Sequence, residues 1–275
     1  MRCTMKLRNK ETTIISLPTE VSKASEKLSD YGMLFYGVKK IGKTSFCTQF
    51  EKAFFMMCEP GAKSFSIYQR PILSWLDFKT YVKLLEKDRT FKTIVVDPVD
   101  LLYKLCLKSV CEKLVIEHPS EEDWGKGWQA VGDEFTFWIN RLMSIGKGVI
   151  FLSHSVPKDI KNRKGETRHK ISPTMPGQAW AVLEGVIDLW VYMGYDEDGK
   201  RIFQLQGDDN VGAGHNLDSH FQYPMGEPIE TIPMGKNKEE AYRNFILAFN
   251  NELKKEEEED KVKSVKKLVK IKLKK

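Results

Sequence analysis

The stretch Gly37-Val38-Lys39-Lys40-Ile41-Gly42-Lys43-Thr44, followed by Ser45, narrows the folds open to this chain more than any other. It satisfies the G-x-x-x-x-G-K-[ST] pattern of a phosphate-binding loop. Such a loop sits between a strand and a helix, and its flanks comply. Met33-Leu34-Phe35-Tyr36 is a short apolar run between Gly32 and Gly37, and Thr44 to Phe50 is expected to continue as a helix. The glycines let backbone N–H groups close round a β-phosphate, and the positive end of the helix adds to their pull. On this reading Gly37, Val38, Lys39, Lys40, Ile41, Gly42, Lys43, Thr44 and Ser45 hold ATP. Lys43 reaches the β- and γ-phosphates, and Thr44 holds Mg²⁺.

The rest of the chain alternates as such a loop requires. Ala53 to Cys58 is a second continuous apolar run, stopped by Glu59-Pro60-Gly61. Unbroken apolarity suits a strand covered on both faces. Ser74-Trp75-Leu76-Asp77 reads as a helix N-cap with an acid three residues on, and Phe78, Val82 and Leu85 extend one face at helical spacing. Thr93-Ile94-Val95-Val96 is a third strand ending in Asp97, Pro98 to Ile116 a helix opened by proline, and Ser120 to Asp123 an acid-rich start of a helix that runs to Gly146. Val149-Ile150-Phe151-Leu152 is a fourth strand, and Val156 to Gly177 reads as a long basic loop. Ala179 to Glu184 is a short helix and Val186 to Tyr192 a fifth strand. A turn at Asp196 to Gly199 leads into Arg201 to Leu205, and Ala241 to Leu253 is a last helix. The fold class is therefore α/β, with a mostly parallel central sheet and helices on both faces.

In such sheets ligands lie at the carboxyl ends of the strands, so Glu59, Asp97 and Ser153/His154 should converge near the γ-phosphate. Asp97, ending an apolar strand, is the expected partner of Thr44 at the metal. Glu59 is placed to polarise the attacking water as general base. Lys43 and His154 complete the expected catalytic set, His154 as a sensor of the γ-phosphate at the start of the basic loop.

Composition excludes several alternatives. No run approaches the roughly 18 apolar residues of a membrane span, and Met1 to Lys10 lacks the apolar segment of a signal peptide, so a soluble, cytoplasmic protein is expected. Five cysteines with no C-x-x-C pair argue for neither a disulfide framework nor a zinc site. The net charge of +6 is concentrated: residues 261–275 hold eight lysines and no acid, leaving the remainder at 6 − 8 = −2. A nucleic-acid surface must then be local, either Lys158 to Lys170 or the tail.

Taken together, Gly37–Thr44, Glu59-Pro60-Gly61, Ile94-Val95-Val96-Asp97, Gly125-Lys126-Gly127-Trp128 with Asp133-Glu134-Phe135, and Val149 to His154 resemble the RecA-like P-loop ATPase domain of bacteriophages, a family close to single-strand annealing recombination proteins. The resemblance runs from about Tyr31 to about Phe221. It implies an ATP- and Mg²⁺-dependent homo-oligomer with nucleotide at subunit interfaces, working in a bacterial or phage-infected host. It also implies single-stranded DNA bound near Trp124–Trp128 and at Lys158–Lys170. Lysines and arginines there would neutralise phosphates, and Trp124 or Trp128 would stack on bases or else pack in a helix face.

One element of that family is missing. Where a basic finger for the neighbouring subunit's γ-phosphate is expected, this chain has Gly207-Asp208-Asp209-Asn210-Val211-Gly212-Ala213-Gly214, while Lys200 and Arg201 come earlier. The finger is thus unassigned, which keeps open an ATP-gated DNA-binding module that barely hydrolyses. A nucleotide or small-molecule kinase lacks its lid-like arginine cluster. The expected organisation is an arm at 1–30, an ATPase core at 31–235, a helix at 236–253 and a charged tail at 254–275. The apolar patch Ile14 to Leu17 in the arm is either part of a flexible segment or a small strand for a neighbouring subunit.

Overall fold

The computed structural model describes residues 17–161, 165 and 167–255. Ile14 to Ser16, Arg163 and Lys164 of the basic stretch, and the lysine-rich tail lie outside the described residues. The core begins with β1 (Gly32–Gly37), wholly buried and flanked by parallel partners on both sides. Its alternation divides the interior. Met33 and Phe35 point into one apolar layer, shared with α1 (Lys43–Cys47) and α6 (Lys238–Phe249). Leu34 points into the other, shared with α2 (Trp75–Leu85), α3 (Val99–Leu114), α4 (Lys126–Met143) and α5 (Gly177–Glu184). Helices on both faces are what a strand without a polar side requires.

The remaining strands are β2 (Ala53–Met57), β3 (Tyr68–Pro71), β4 (Thr93–Asp97), β5 (Gly148–Lys161), β6 (Thr167–Pro173), β7 (Leu189–Tyr195), β8 (Arg201–Gln204), β9 (Gly214–His215) and β10 (Thr231–Pro233). Among the described residues the sheet runs β3-β2-β4-β5-β1-β7-β8-β10, with β6 pairing off β5 and β9 off β7. All pairs from β3 to β7 along this path are parallel; β8 and β10 are antiparallel. The architecture is α/β with a mostly parallel central sheet, and β5 separates β1 from β4 within it. His154 therefore ends between the phosphate loop and Asp97.

Several boundaries depart from the sequence reading. The helix expected over Thr44 to Phe50 stops at Cys47, where Thr48 turns its hydroxyl onto the Ser45 carbonyl and Lys52 adopts a positive φ of 45°. The acid-rich segment does not open α4. His118 and Glu121 instead cap a 3₁₀ turn, and Trp124 and Gly125, with φ of 57° and 69°, redirect the chain before Lys126. The expected loop from Val156 to Gly177 is mostly the hairpin β5–β6, in register from Ser155↔Pro173 to Lys161↔Thr167. Ser74 and Asp77 do form the expected capping box on α2.

Candidate nucleotide-binding site

The Gly37–Thr44 loop leaves β1 and enters α1 through Gly42, which sits at φ 113°. Only glycine takes that conformation without strain, which explains the second fixed glycine of the motif. The Lys43 amine is folded back, donating to the carbonyls of Gly37 at 2.8 Å and Val38 at 3.0 Å. Burial lowers its pKa, against the raising pull of Asp97, Asp100 and Glu59. A cation held this way is already positioned beside the loop it serves.

Of the residues expected to converge, Glu59, Asp97 and His154 meet at the loop, whereas Ser153 is buried and does not line the cleft. The loop, Glu59, Asp97 and His154 line one cleft of about 470 Å³, together with Met57, Gly61, Ser64 and Phe65. Thr44 Oγ1 donates to Asp97 Oδ2 at 2.7 Å. Asp97 is 6% exposed, and burial pushes its carboxyl above the usual range; the Thr44 hydrogen bond and the Lys43 charge oppose that shift, and Glu59 adds to it. A hydroxyl and a carboxylate side by side are hard oxygen donors that suit Mg²⁺, which takes few protein ligands and completes its shell with phosphate and water. Among the described residues no cluster of three His, Cys, Asp or Glu could hold a metal by itself.

Glu59 and His154 face each other, Oε1 to Nε2, at 3.8 Å. That is too long for a direct hydrogen bond and close enough for a charge interaction if the imidazole is protonated. His154 Nδ1 is buried and has no hydrogen-bond partner. The backbone around it is fixed by Asp100, a residue the sequence reading passed over. Asp100 accepts from Ser153 Oγ at 2.6 Å and from the His154 amide at 3.3 Å, and burial raises its pKa. Its place in the first turn of α3, three residues past Asp97, was the available signal.

Arg201 was also passed over as a site residue. Its guanidinium donates to the Gly235 and Lys236 carbonyls at 3.0 Å each, and its Nη1 lies 3.7 Å from where a Cβ on Gly42 would stand. The hairpin β7–β8 thus returns a fixed cation to the chain's own phosphate loop. Trp124 is 95% exposed. Trp128 donates to Ser120 Oγ at 3.1 Å and meets His118 edge to face.

A sequence profile described as an AAA domain matches residues 29–217, which contain the loop, Glu59, Asp97, His154 and the β5–β6 hairpin. The chain belongs to this AAA-domain family. An AAA domain is a P-loop ATPase domain and implies use of a nucleotide, usually with Mg²⁺. The SPbeta prophage-derived uncharacterized protein YorG of Bacillus subtilis (strain 168) is 31% identical over 193 residues, which cover 66% of this chain and 57% of that relative. The AAA-domain chain therefore matches little more than half the length of this phage-derived relative. A KaiC-like protein from Pyrococcus horikoshii OT3 superposes with a TM-score of 0.43 at 14% identity, over 74% of this chain and 85% of its own. Among the described residues no helix is long and apolar enough to cross a membrane.

Proposed function

We propose that this AAA-domain protein is a phage-type RecA-like ATPase that couples its nucleotide state to single-stranded DNA, in annealing or recombination within the bacterial or phage-infected cytoplasm. The observation that carries this reading is the continuity of β5. One strand passes from Ile150 and Leu152 in the core, through His154 in the nucleotide cleft, to Lys158 on the hairpin. A change felt at His154 has a short covalent path to the basic segment.

The roles follow from position. Gly37 to Ser45 would cradle the phosphates and Lys43 would neutralise them, while Thr44 and Asp97 would hold Mg²⁺, which would supply further positive charge against the phosphates. Glu59 takes the proton of the attacking water. His154 senses the γ-phosphate. Residues 31–235 form the ATPase core, with the arm at 1–30, the helix segment at 236–253 and the tail at 254–275 as additions. The working form is a homo-oligomer, and no trans-acting finger is assigned. Arg201 stands over its own loop, which favours a role in cis.

The test is ATP hydrolysis with and without single-stranded DNA at two salt concentrations, beside Lys43→Ala. Salt-sensitive stimulation that vanishes in the variant is the expected result. Hydrolysis indifferent to DNA overturns the DNA part of the reading. The second reading, an ATP-gated binding module, draws on the folded-back Lys43 and the unassigned finger; it expects nucleotide-dependent DNA affinity with negligible turnover, unchanged by Glu59→Gln.

A further inference from the structure

The hairpin β5–β6 carries a cost that its own fold does not explain. Lys158 stands directly opposite Lys170, and Arg168 follows two residues along on the same face. Like charges facing each other across two strands are destabilising. The Lys158 amine turns aside to the Met175 carbonyl at 3.0 Å, and partial burial lowers its pKa. Negative charge comes instead from the glycine-rich segment that the ATPase reading left without a role.

That segment, residues 207–214, lies along the outer edge of β6. Val211 bridges Ile171 in parallel fashion: Ile171 N donates to Asn210 O at 2.6 Å, and Gly212 N to Ile171 O at 3.0 Å. The attachment aligns two acids with two cations. Asp209 is ion-paired with Arg168. Asp208 accepts from the Asn210 and Val211 amides and from Gln204 Nε2. Partial burial pushes its carboxyl up, but these hydrogen bonds and the charge of Lys170 bring it below the usual range. The strap is anchored beneath: the Tyr36 hydroxyl lies within hydrogen-bond reach of the Gly212 and Ile171 carbonyls, and Gly212 and Gly214 pack against the Trp190 ring.

We propose that the 207–214 strap is a built-in competitor for the polyanion surface of the hairpin, with the carboxylates of Asp208 and Asp209 standing where phosphates of a bound single strand would otherwise neutralise Lys170 and Arg168. This inference rests on the reading of the hairpin as a DNA-binding element. Asp209 is the releasable half. Its side chain is 78% exposed, whereas Asp208 also holds the turn together. Exposed ion pairs contribute little and are screened by salt, so a polyanion can displace this one. The backbone attachment at Ile171 need not open for that exchange.

The experiment is a fluorescence-anisotropy titration of labelled oligothymidylate with the full chain, as wild type, Asp209→Asn, Arg168→Gln and the double variant, at low salt. Asp209→Asn should bind about two- to five-fold tighter, the range expected from losing one exposed ion pair. Arg168→Gln should bind more weakly, and adding Asp209→Asn to it should restore nothing. A gain that persists in the Arg168→Gln background reflects bulk charge and overturns the strap, as does the absence of any gain. Weaker binding by Arg168→Gln alongside either result leaves the hairpin reading standing. No binding by any form overturns both.

Discussion

Glu59 and Asp97 reach one cleft from adjacent strands, yet they differ in burial. Asp97 is enclosed beside Thr44, while the Glu59 side chain is 40% exposed and faces His154. Glu59→Gln should lower kcat by about 10²–10⁴, the usual contribution of a general base, with little change in nucleotide affinity. Phosphate release and binding of a fluorescent nucleotide measure the two separately. Asp97 supports a pH prediction. Mg²⁺ takes the ionised carboxylate, so protons compete with it. Because burial raises the Asp97 pKa, competition begins at a higher pH than for an ordinary aspartate near 3.9. Mg²⁺-dependent nucleotide binding should therefore weaken as pH falls through that raised pKa, by up to about tenfold per pH unit for one proton. Calorimetry across pH should show this slope in the wild type and its loss in Asp97→Asn. Gly42→Ala should abolish nucleotide binding, since a side chain at φ 113° distorts the loop.

At the level of elements, legibility followed the kind of force that forms each one. β1, β2 and β4 were visible because burial on both faces writes itself as continuous apolar runs, and α2 because its cap is local in sequence. β3, Tyr68-Gln69-Arg70-Pro71, is a polar edge strand with no such signature. β6 and the outer part of β5 were invisible for a related reason: Lys158, Asp159, Arg168 and Lys170 show no apolar alternation, and only their cross-strand pairing makes them strands. Asp97, Glu59 and His154 could be placed because strand ends bring chemistry together. Arg201 could not, because it reaches the site only through long-range contacts, whereas Asp100 carried a local signal in its place three residues past Asp97. α6 offers the stability test. Phe245 is fully buried among Phe35, Phe46, Phe203 and Phe221, with ring centroids 5.1–5.5 Å away. Phe245→Ala should cost about 3–5 kcal/mol, lowering Tm by roughly 10 °C in a thermal melt.

Over the whole molecule, Tyr36 joins what the chain order keeps apart. It precedes the phosphate loop, and its buried hydroxyl contacts carbonyls of both the hairpin and the 207–214 strap. Coupling between two ligands is reciprocal, so a link of this kind should make ATP alter DNA affinity by the same factor as DNA alters ATP affinity. Tyr36→Phe should leave nucleotide binding in the absence of DNA nearly unchanged and shrink that factor toward one, measured by titrating each ligand with and without the other.

β5 also sets a rule of length. Side chains alternate along a strand, and Lys158 comes four positions after His154, so both project from the same side. Deleting one residue between them would turn the lysine to the opposite face and leave its partner Lys170 behind. Deleting two would restore the facing but draw the hairpin about 7 Å closer to the cleft. Length changes in this stretch should therefore be tolerated only in steps of two, each step trading reach for proximity.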